Sequence, residues 1–212
     1  MTRTKSEDGS RGSGLSRRGF LFGTAVALEG AAATAALEAC RPADSATGGG
    51  GPVLGPGAVP VTLRVNGKDH PLQVEPRRTL ADVLRTELGM TGTKVVCDRG
   101  SCSACTVFLD GTPVVSCLTF VLDAAGREIT TIEGLAHGDQ LHPVQAAFIE
   151  HDATQCGFCT PGMVMSCAAL LARNPSPTLD DVRTAVSGNL CRCGTYPKVF
   201  AATLAAAGKR GA

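Results

Sequence analysis

Cysteine is the residue type whose number and spacing point most directly to chemistry in this chain of 212 residues, which contains ten of them. Eight of the ten fall into two groups of four along the sequence. The first group is Cys97, Cys102, Cys105 and Cys117, and the second is Cys156, Cys159, Cys191 and Cys193. Clustered thiolates bind soft metal ions or pair as disulfides, so the spacing within each group has to separate these chemistries.

The first group has the spacing Cys-x4-Cys-x2-Cys, with a fourth cysteine after eleven intervening residues. This spacing is typical of plant-type [2Fe–2S] centres, and it requires three thiolates from one loop and a fourth from an adjacent strand. The loop is filled by small residues that let backbone N–H groups approach the sulfurs: Gly100, Ser101, Ser103 and Ala104. A four-cysteine zinc site and two disulfides remain alternatives, although zinc usually takes two close pairs of cysteines.

The residues around the first group predict a small sheet with one helix. Residues 61–65 alternate apolar and polar side chains, and Asn66-Gly67 supplies a two-residue turn into a return strand. Thr79 is suited to cap a following helix, and after the cysteine loop strands are predicted over 106–109, 114–118 and 128–132. The order β-β-α-loop-β-β-β predicts an α+β domain of the plant-ferredoxin-like (β-grasp) type over 60–135.

From residue 137 the pattern becomes helical, and the second group of cysteines falls within this part. Start signals at Pro143, Thr160, Thr178 and Pro197 predict an all-α four-helix domain over 136–212. The spacing Cys-x2-Cys-x31-Cys-x1-Cys puts one pair just before the helix at Thr160 and one just before that at Pro197. Helix N-termini favour negative charge, so both suit a four-thiolate cluster at the mouth of the bundle. Cys167 lies on an apolar helix side and is predicted to be packed rather than a ligand.

Residues 1–46 predict an export signal. Basic residues precede an alanine-rich apolar run, and the segment 16–21, Ser-Arg-Arg-Gly-Phe-Leu, resembles the bacterial twin-arginine signal. A transmembrane helix is the alternative, but Glu29 interrupts the run; a signal left uncleaved would tether the protein to the membrane. Cys40 follows a segment that partly resembles a lipoprotein cleavage site. A glycine-rich flexible linker is predicted over 47–59. From the export signal we expect a periplasmic protein without a membrane span in the mature chain.

The composition excludes several other classes of function. Twenty Lys and Arg residues against nineteen Asp and Glu residues give a net charge of +1, so no basic excess favours nucleic acid or an anionic membrane. Seven Phe, one Tyr and no Trp argue against a platform for base stacking. The four histidines show no spacing typical of metal ligands, and we expect them in solvated or capping positions.

The residues around the second group form two long motifs that narrow the choice of protein family. Residues 155–163 read Gln-Cys-Gly-Phe-Cys-Thr-Pro-Gly-Met, and residues 188–196 read Gly-Asn-Leu-Cys-Arg-Cys-Gly-Thr-Tyr. Together with the first group, they resemble the small iron–sulfur subunit of the xanthine oxidase family of molybdenum hydroxylases. The resemblance covers residues 60 to about 205, and it departs from the family at Ser103, where glycine is usual. The export signal narrows the resemblance towards the periplasmic aldehyde oxidoreductase type.

The resemblance implies an electron-transfer subunit with two [2Fe–2S] clusters ligated by the two cysteine groups and no catalytic residue of its own. It also implies a large partner subunit whose molybdopterin (cytosine dinucleotide) cofactor oxidises an aldehyde or N-heterocycle. In such complexes the second cluster lies nearer molybdenum, the residue matching Gln155 approaches the pterin, and the first cluster faces an FAD subunit or a c-type cytochrome. A free two-cluster ferredoxin-like carrier and a zinc-stapled binding module are the alternatives.

Overall fold

The structure, a computed structural model, describes residues 54–209. The predicted export signal over 1–46 lies outside this range, as does most of the predicted linker over 47–59. The first regular element begins at Val59. Within the described range, no helix combines the length and the apolar character that crossing a bilayer requires.

A mixed five-stranded sheet forms the first half of the described chain. Its strands are β1 (Val59–Val65), β2 (Lys68–Val74), β3 (Thr106–Leu109), β4 (Thr112–Val115) and β5 (Glu128–Thr130), in the spatial order β2-β1-β5-β3-β4. β1 runs antiparallel to β2 and parallel to β5, whereas β3 runs antiparallel to both β4 and β5. Asn66 and Gly67 both have positive φ, at 51° and 76°, as a two-residue hairpin turn requires. The predicted ferredoxin-like arrangement of strands is therefore present.

One helix, α1 (Leu80–Thr86), covers this sheet. Thr79 caps it as predicted, because its hydroxyl accepts a 3.3 Å hydrogen bond from the N–H of Asp82. Leu80 and Leu84 are fully buried and share one core with the residues that β1 and β5 turn inward. The loop that carries three of the cysteines runs from this helix to β3, so both of its ends are fixed by buried elements.

Helices make up the second half: α2 (Pro143–Glu150), α3 (Thr160–Arg173), α4 (Leu179–Ala185) and α5 (Tyr196–Lys209). His142 caps α2 through its Nδ1 atom, which accepts a 3.2 Å hydrogen bond from the N–H of Val144. Thr178 caps α4 in the same way, accepting from the N–H of Asp181. These helices share a core of their own, distinct from that of the sheet, around Phe148, Met163, Leu171 and Val199.

Two predicted strands are shorter than the sequence suggested. Residues 116–118 were expected to continue the second hairpin, but Ser116–Leu118 is a 3₁₀ helix. The cause is Ser116, whose hydroxyl and N–H both donate to the carbonyl of Cys105, at 2.7 Å and 3.4 Å. The last strand stops at Thr130 because the N–H of Thr131 donates to the side-chain oxygen of Asn66. Side chains thus take the backbone groups that a longer ladder would need.

The two halves meet where the first turn of α3 crosses the cysteine loop. A Cβ atom added at Gly162 would lie 2.1 Å from the carbonyl oxygen of Ser103 and 3.0 Å from the Cα of Ala104. Both neighbours are backbone atoms, which cannot rotate away as the end of a flexible side chain can. Glycine at position 162 therefore sets how closely the helix approaches the loop.

We expect Gly162→Ala to lower the stability of the cluster-loaded protein by about 1–3 kcal/mol, because the added methyl group forces the helix and loop apart. Gly208→Ala is the matched control, since Gly208 lies in the other 14-residue helix and an added Cβ there meets nothing within 4 Å. The control should be neutral or stabilising by up to about 1 kcal/mol. Calorimetric melting at one scan rate measures both, and equal melting temperatures for the two variants would contradict the close contact.

Candidate metal centres

The first group of cysteines meets at the edge of the sheet. Cys97, Cys102 and Cys105 come from the loop between α1 and β3, and Cys117 comes from the 3₁₀ helix after β4. The Cys102 thiol affects the pKa of Cys97, and the Cys105 thiol affects that of Cys117, so these side chains lie close together in pairs. Cys97 is half-buried and the other three are buried. The predicted first group is thus brought together, with three of its sulfurs shielded from water.

The backbone of this loop adopts left-handed conformations at Gly100 and Ser103. Gly100 has φ +71°, and its N–H donates to the Sγ of Cys117 at 3.3 Å. A Cβ atom on Gly100 would lie 2.4 Å from the Cδ1 of Leu118, but this exposed side chain can rotate away, so the loop needs glycine here for its backbone conformation. Ser103 also has a positive φ, at 53°. A left-handed conformation costs a residue with a Cβ about 1–2 kcal/mol, which explains why glycine suits the position where this sequence carries serine.

The thiols of the first group differ in acidity. Hydrogen bonds, led by that from the backbone N–H of Arg99, lower the pKa of Cys97 to about 7. Burial raises the pKa of Cys117 to about 11 and also raises that of Cys102. A bound metal cation deprotonates such thiols, because its charge compensates the thiolate that burial disfavours.

The second group meets at the N-terminal ends of two helices. Cys159 is the N-cap of α3, and Cys191 and Cys193 lie just before α5. The neighbouring cysteines are nested in sequence, because the Cys191 thiol affects the pKa of Cys159 and the Cys156 thiol affects that of Cys193. Cys159 and Cys191, the inner pair, are half-buried. Cys156 and Cys193, the outer pair, are exposed. This group therefore opens to the surface, as the predicted position at the mouth of the helices requires.

Neighbouring groups also shift the pKa values of the inner pair. Burial raises the pKa of the Cys159 thiol to about 12. Burial acts on Cys191 as well, but hydrogen bonds from the side chain and backbone of Thr195 outweigh it and lower that pKa to about 7. The Oγ1 atom of Thr195 lies 3.2 Å from the Cys191 sulfur. Each group of cysteines thus contains one thiol whose pKa is lowered and two whose pKa is raised.

The paired arrangement fits a binuclear cluster better than a single ion. In a [2Fe–2S] cluster each iron takes two of the four thiolates, so the sulfurs form two separate pairs. A structural zinc ion instead draws four ligands to one point. Between residues 54 and 209, no three histidine, cysteine or carboxylate side chains converge as ligands of one ion, and the cysteines there are free thiols. The donor set and the N–H groups aimed at sulfur both suit the cluster.

Other residues singled out from the sequence lie in different places. Cys167 is completely buried among the helices and accepts a 3.1 Å hydrogen bond from the hydroxyl of Thr203, which confirms its packed position. Gln155 is exposed next to the outer cysteine pair. Sequence reasoning missed the contact between the two groups, in which the N–H of Leu190 donates to the carbonyl of Cys102 at 3.1 Å. No periodicity marks such a contact; only its place beside a ligand motif could have suggested it.

Comparison with protein families defines the class of protein. A model of the 2Fe-2S iron-sulfur cluster binding domain matches residues 63–131, and a model of the [2Fe-2S] binding domain matches residues 131–204. The two matches follow each other along nearly the whole described chain. The protein therefore contains two consecutive [2Fe–2S]-binding domains.

Individual similar proteins indicate the kind of enzyme complex more closely than the domain matches do. The aldehyde oxidoreductase iron-sulfur-binding subunit PaoA of Escherichia coli K12 is 46% identical, over 73% of this chain and 74% of that protein. The nicotine 6-hydroxylase small subunit of Paenarthrobacter nicotinovorans is 48% identical, over 72% of this chain and 92% of the relative. The crystal structure of quinoline 2-oxidoreductase from Pseudomonas putida 86 matches with a TM-score of 0.70 and 45% identity, covering 73% of this chain and 98% of that one.

The chain belongs to the iron–sulfur subunits of the xanthine oxidase family of molybdenum hydroxylases. Its function is electron transfer within an oxidoreductase of that family. The resemblance seen in the sequence is therefore confirmed.

The paired cysteines predict about four iron and four acid-labile sulfide atoms per chain. We expect Cys105→Ser to lower both counts to about two, because it removes one ligand of one cluster only. Cys167→Ala is the matched control and should keep the full count, since Cys167 is completely buried among the helices and its hydrogen bond goes to Thr203. Metal and sulfide analysis with visible absorption measures this, and zinc in place of iron in the unaltered chain would contradict the prediction.

Proposed function

We propose that this chain receives electrons at its helical half from a catalytic subunit and delivers them at its ferredoxin-like half to an acceptor. The catalytic subunit would hold molybdopterin cytosine dinucleotide and oxidise an aldehyde or N-heterocycle. The acceptor would be an FAD subunit or a c-type cytochrome. The relatives support a place in such a complex, because they are named as subunits of aldehyde oxidoreductase, nicotine 6-hydroxylase and nicotinate dehydrogenase.

The observation that carries the proposal is the exposure of the outer cysteine pair. Cys156 and Cys193 are exposed, and the side chain of Phe158 between the helical-half cysteines is 58% exposed. An oxidised [2Fe–2S] cluster with four thiolates carries a formal charge of about −2, which is best held in a dry, hydrogen-bonded setting. A large subunit docked over this end of the helices would supply that setting, and we propose that Gln155, which is exposed beside Cys156, approaches its cofactor.

The ferredoxin-like half has a second apolar surface around its cysteines. Val96, Leu118 and Phe120 are 55%, 61% and 52% exposed, and they flank the first cysteine group. Large apolar side chains concentrated around one site mark an interaction surface. This surface supports docking of a separate acceptor, on the other half from the catalytic subunit.

The chain itself contributes cysteine ligands, hydrogen-bond donors to their sulfurs and a short connection between the two cysteine groups. A bound [2Fe–2S] cluster accepts and releases one electron, and the protein positions and tunes it. The N–H of Gly100 and the hydroxyl of Thr195 stabilise negative charge on sulfur in the two centres. The hydrogen bond from Leu190 to Cys102 leads from one cysteine group to the residue before Cys191 of the other. Electrons therefore have a compact route across the chain.

If the two centres act in series, two single substitutions should fail in different ways. Cys156→Ser should stop the substrate of the complex from reducing either cluster. Cys102→Ser should leave substrate reduction of the helical-half cluster intact and block delivery to the acceptor. Anaerobic addition of substrate to each purified complex, followed by low-temperature EPR of the reduced clusters, measures this.

The reverse order would be established by one result. Substrate-driven reduction of the ferredoxin-half cluster in a Cys156→Ser complex that retains its molybdenum is incompatible with the proposed order. Purification of the unaltered chain from its host tests the complex itself. Recovery of the loaded chain with no co-eluting subunit would favour a free ferredoxin-like carrier instead.

We further propose that the protein works in the periplasm after twin-arginine export. The support is the segment 16–21, since this export route carries folded proteins and an iron–sulfur cluster needs a folded site. Replacing Arg17 and Arg18 with lysine should leave the protein in the cytoplasm with its clusters present. Cell fractionation with iron analysis measures this, and unchanged periplasmic recovery of the double variant would refute export by this route.

A further inference from the structure

The two cysteine groups contact each other through backbone that directly adjoins their cysteines. The carbonyl of Cys102 accepts a 3.1 Å hydrogen bond from the N–H of Leu190, and the next carbonyl, that of Ser103, accepts one of 3.2 Å from the side-chain amide of Asn189. Asn189 and Leu190 are the two residues before Cys191. A movement at this contact would therefore move one group relative to the other.

Asn189 is built into the contact rather than lying on its surface. It is only 3% exposed, although asparagine is a polar residue, and its side chain reaches a residue 86 positions away in the sequence. Buried amides keep their hydrogen bonds because an unpaired polar group inside a protein is unfavourable. Gly188 beside it also lies close to Ser103, whose Oγ atom would be 3.4 Å from an added Cβ.

Tyr196 ties Asn189 to the cysteine that follows. Its hydroxyl accepts a 2.9 Å hydrogen bond from the N–H of Cys191 and donates one of 2.9 Å to the carbonyl of Asn189. The ring packs at the start of α5 against Phe200, with the ring centroids 6.3 Å apart. Tyr196 is also the single tyrosine of the chain. The turn from 189 to 196, which contains Cys191 and Cys193, is thus closed by one phenol.

We propose that Asn189 and Tyr196 are positioning residues that fix the separation of the two clusters and so set the rate of electron transfer between them. Asn189 holds the first cysteine loop, and Tyr196 holds Asn189 and Cys191 in one rigid turn. Electron tunnelling falls exponentially with distance, so a small displacement at this contact changes the rate strongly. This inference rests on the proposed function, because it requires both clusters to be present and to exchange electrons.

A different buried hydrogen bond shows what a purely structural role would look like. The hydroxyl of Thr203 in α5 is fully buried and donates to Cys167 and to the carbonyl of Val199. Thr203 lies in the same half as Tyr196, and its hydroxyl joins α5 to Cys167 of α3. It hydrogen-bonds to none of the eight clustered cysteines. Thr203→Val removes this hydrogen bond with little change in shape and serves as the matched control.

The test compares Asn189→Leu, Tyr196→Phe and Thr203→Val in the assembled, cluster-loaded complex. Iron and sulfide analysis establishes loading, and EPR of the fully reduced complex gives the magnetic splitting between the clusters. Rapid freezing after substrate addition gives the rate at which the ferredoxin-half cluster is reduced after the helical-half cluster.

We expect Asn189→Leu and Tyr196→Phe to keep both clusters, to change the splitting and to slow transfer severalfold. Thr203→Val should match the unaltered complex in both measurements. Loaded variants with unaltered splitting and rate would overturn the proposal. Failure of both variants to load would also overturn it, by assigning the two residues to cluster assembly instead. Absence of iron from the unaltered chain would refute the proposed function itself.

Discussion

Burial of cysteine sulfur without a positive charge beside it is the constraint on which the two centres depend. The pKa of Cys117 is raised to about 11 and that of Cys159 to about 12, in each case chiefly by burial. These thiols are neutral in the protein alone, and a cation is needed to hold them as thiolates. Each half of the described chain has roughly 75 residues, a size at which a hydrophobic core is marginal, so a bound cluster would add to the stability of the fold.

The sequence was most informative where spacing and local capping act together. Thr79, Thr178 and the Asn66-Gly67 turn depend on neighbours within a few residues, and the structure shows each of them in its predicted role. The two cysteine groups could be recognised for a similar reason, because their spacing is tied to one loop and to two helix starts. Cys167 could be set apart because helical periodicity placed it on a buried face.

The remaining features depend on contacts distant in sequence. Spacing alone does not show that Cys117 pairs with Cys105, or that the second group pairs in a nested order. The 3₁₀ turn that delivers Cys117 comes from the hydrogen bonds of Ser116 to a carbonyl eleven positions earlier. The burial of Asn189 follows from packing between the two halves, which no local propensity encodes.

The nested pairing of the second group also has a consequence for how the protein matures. Cys159 and Cys191 form the inner wall of this centre, while Cys156 and Cys193 stand at its open side. The exposed cysteines open this centre to solvent, and the catalytic subunit proposed above would cover that side. With the subunit docked there, a cluster would have to be inserted before assembly, so the exposure of two of the four cysteines would set an order of maturation.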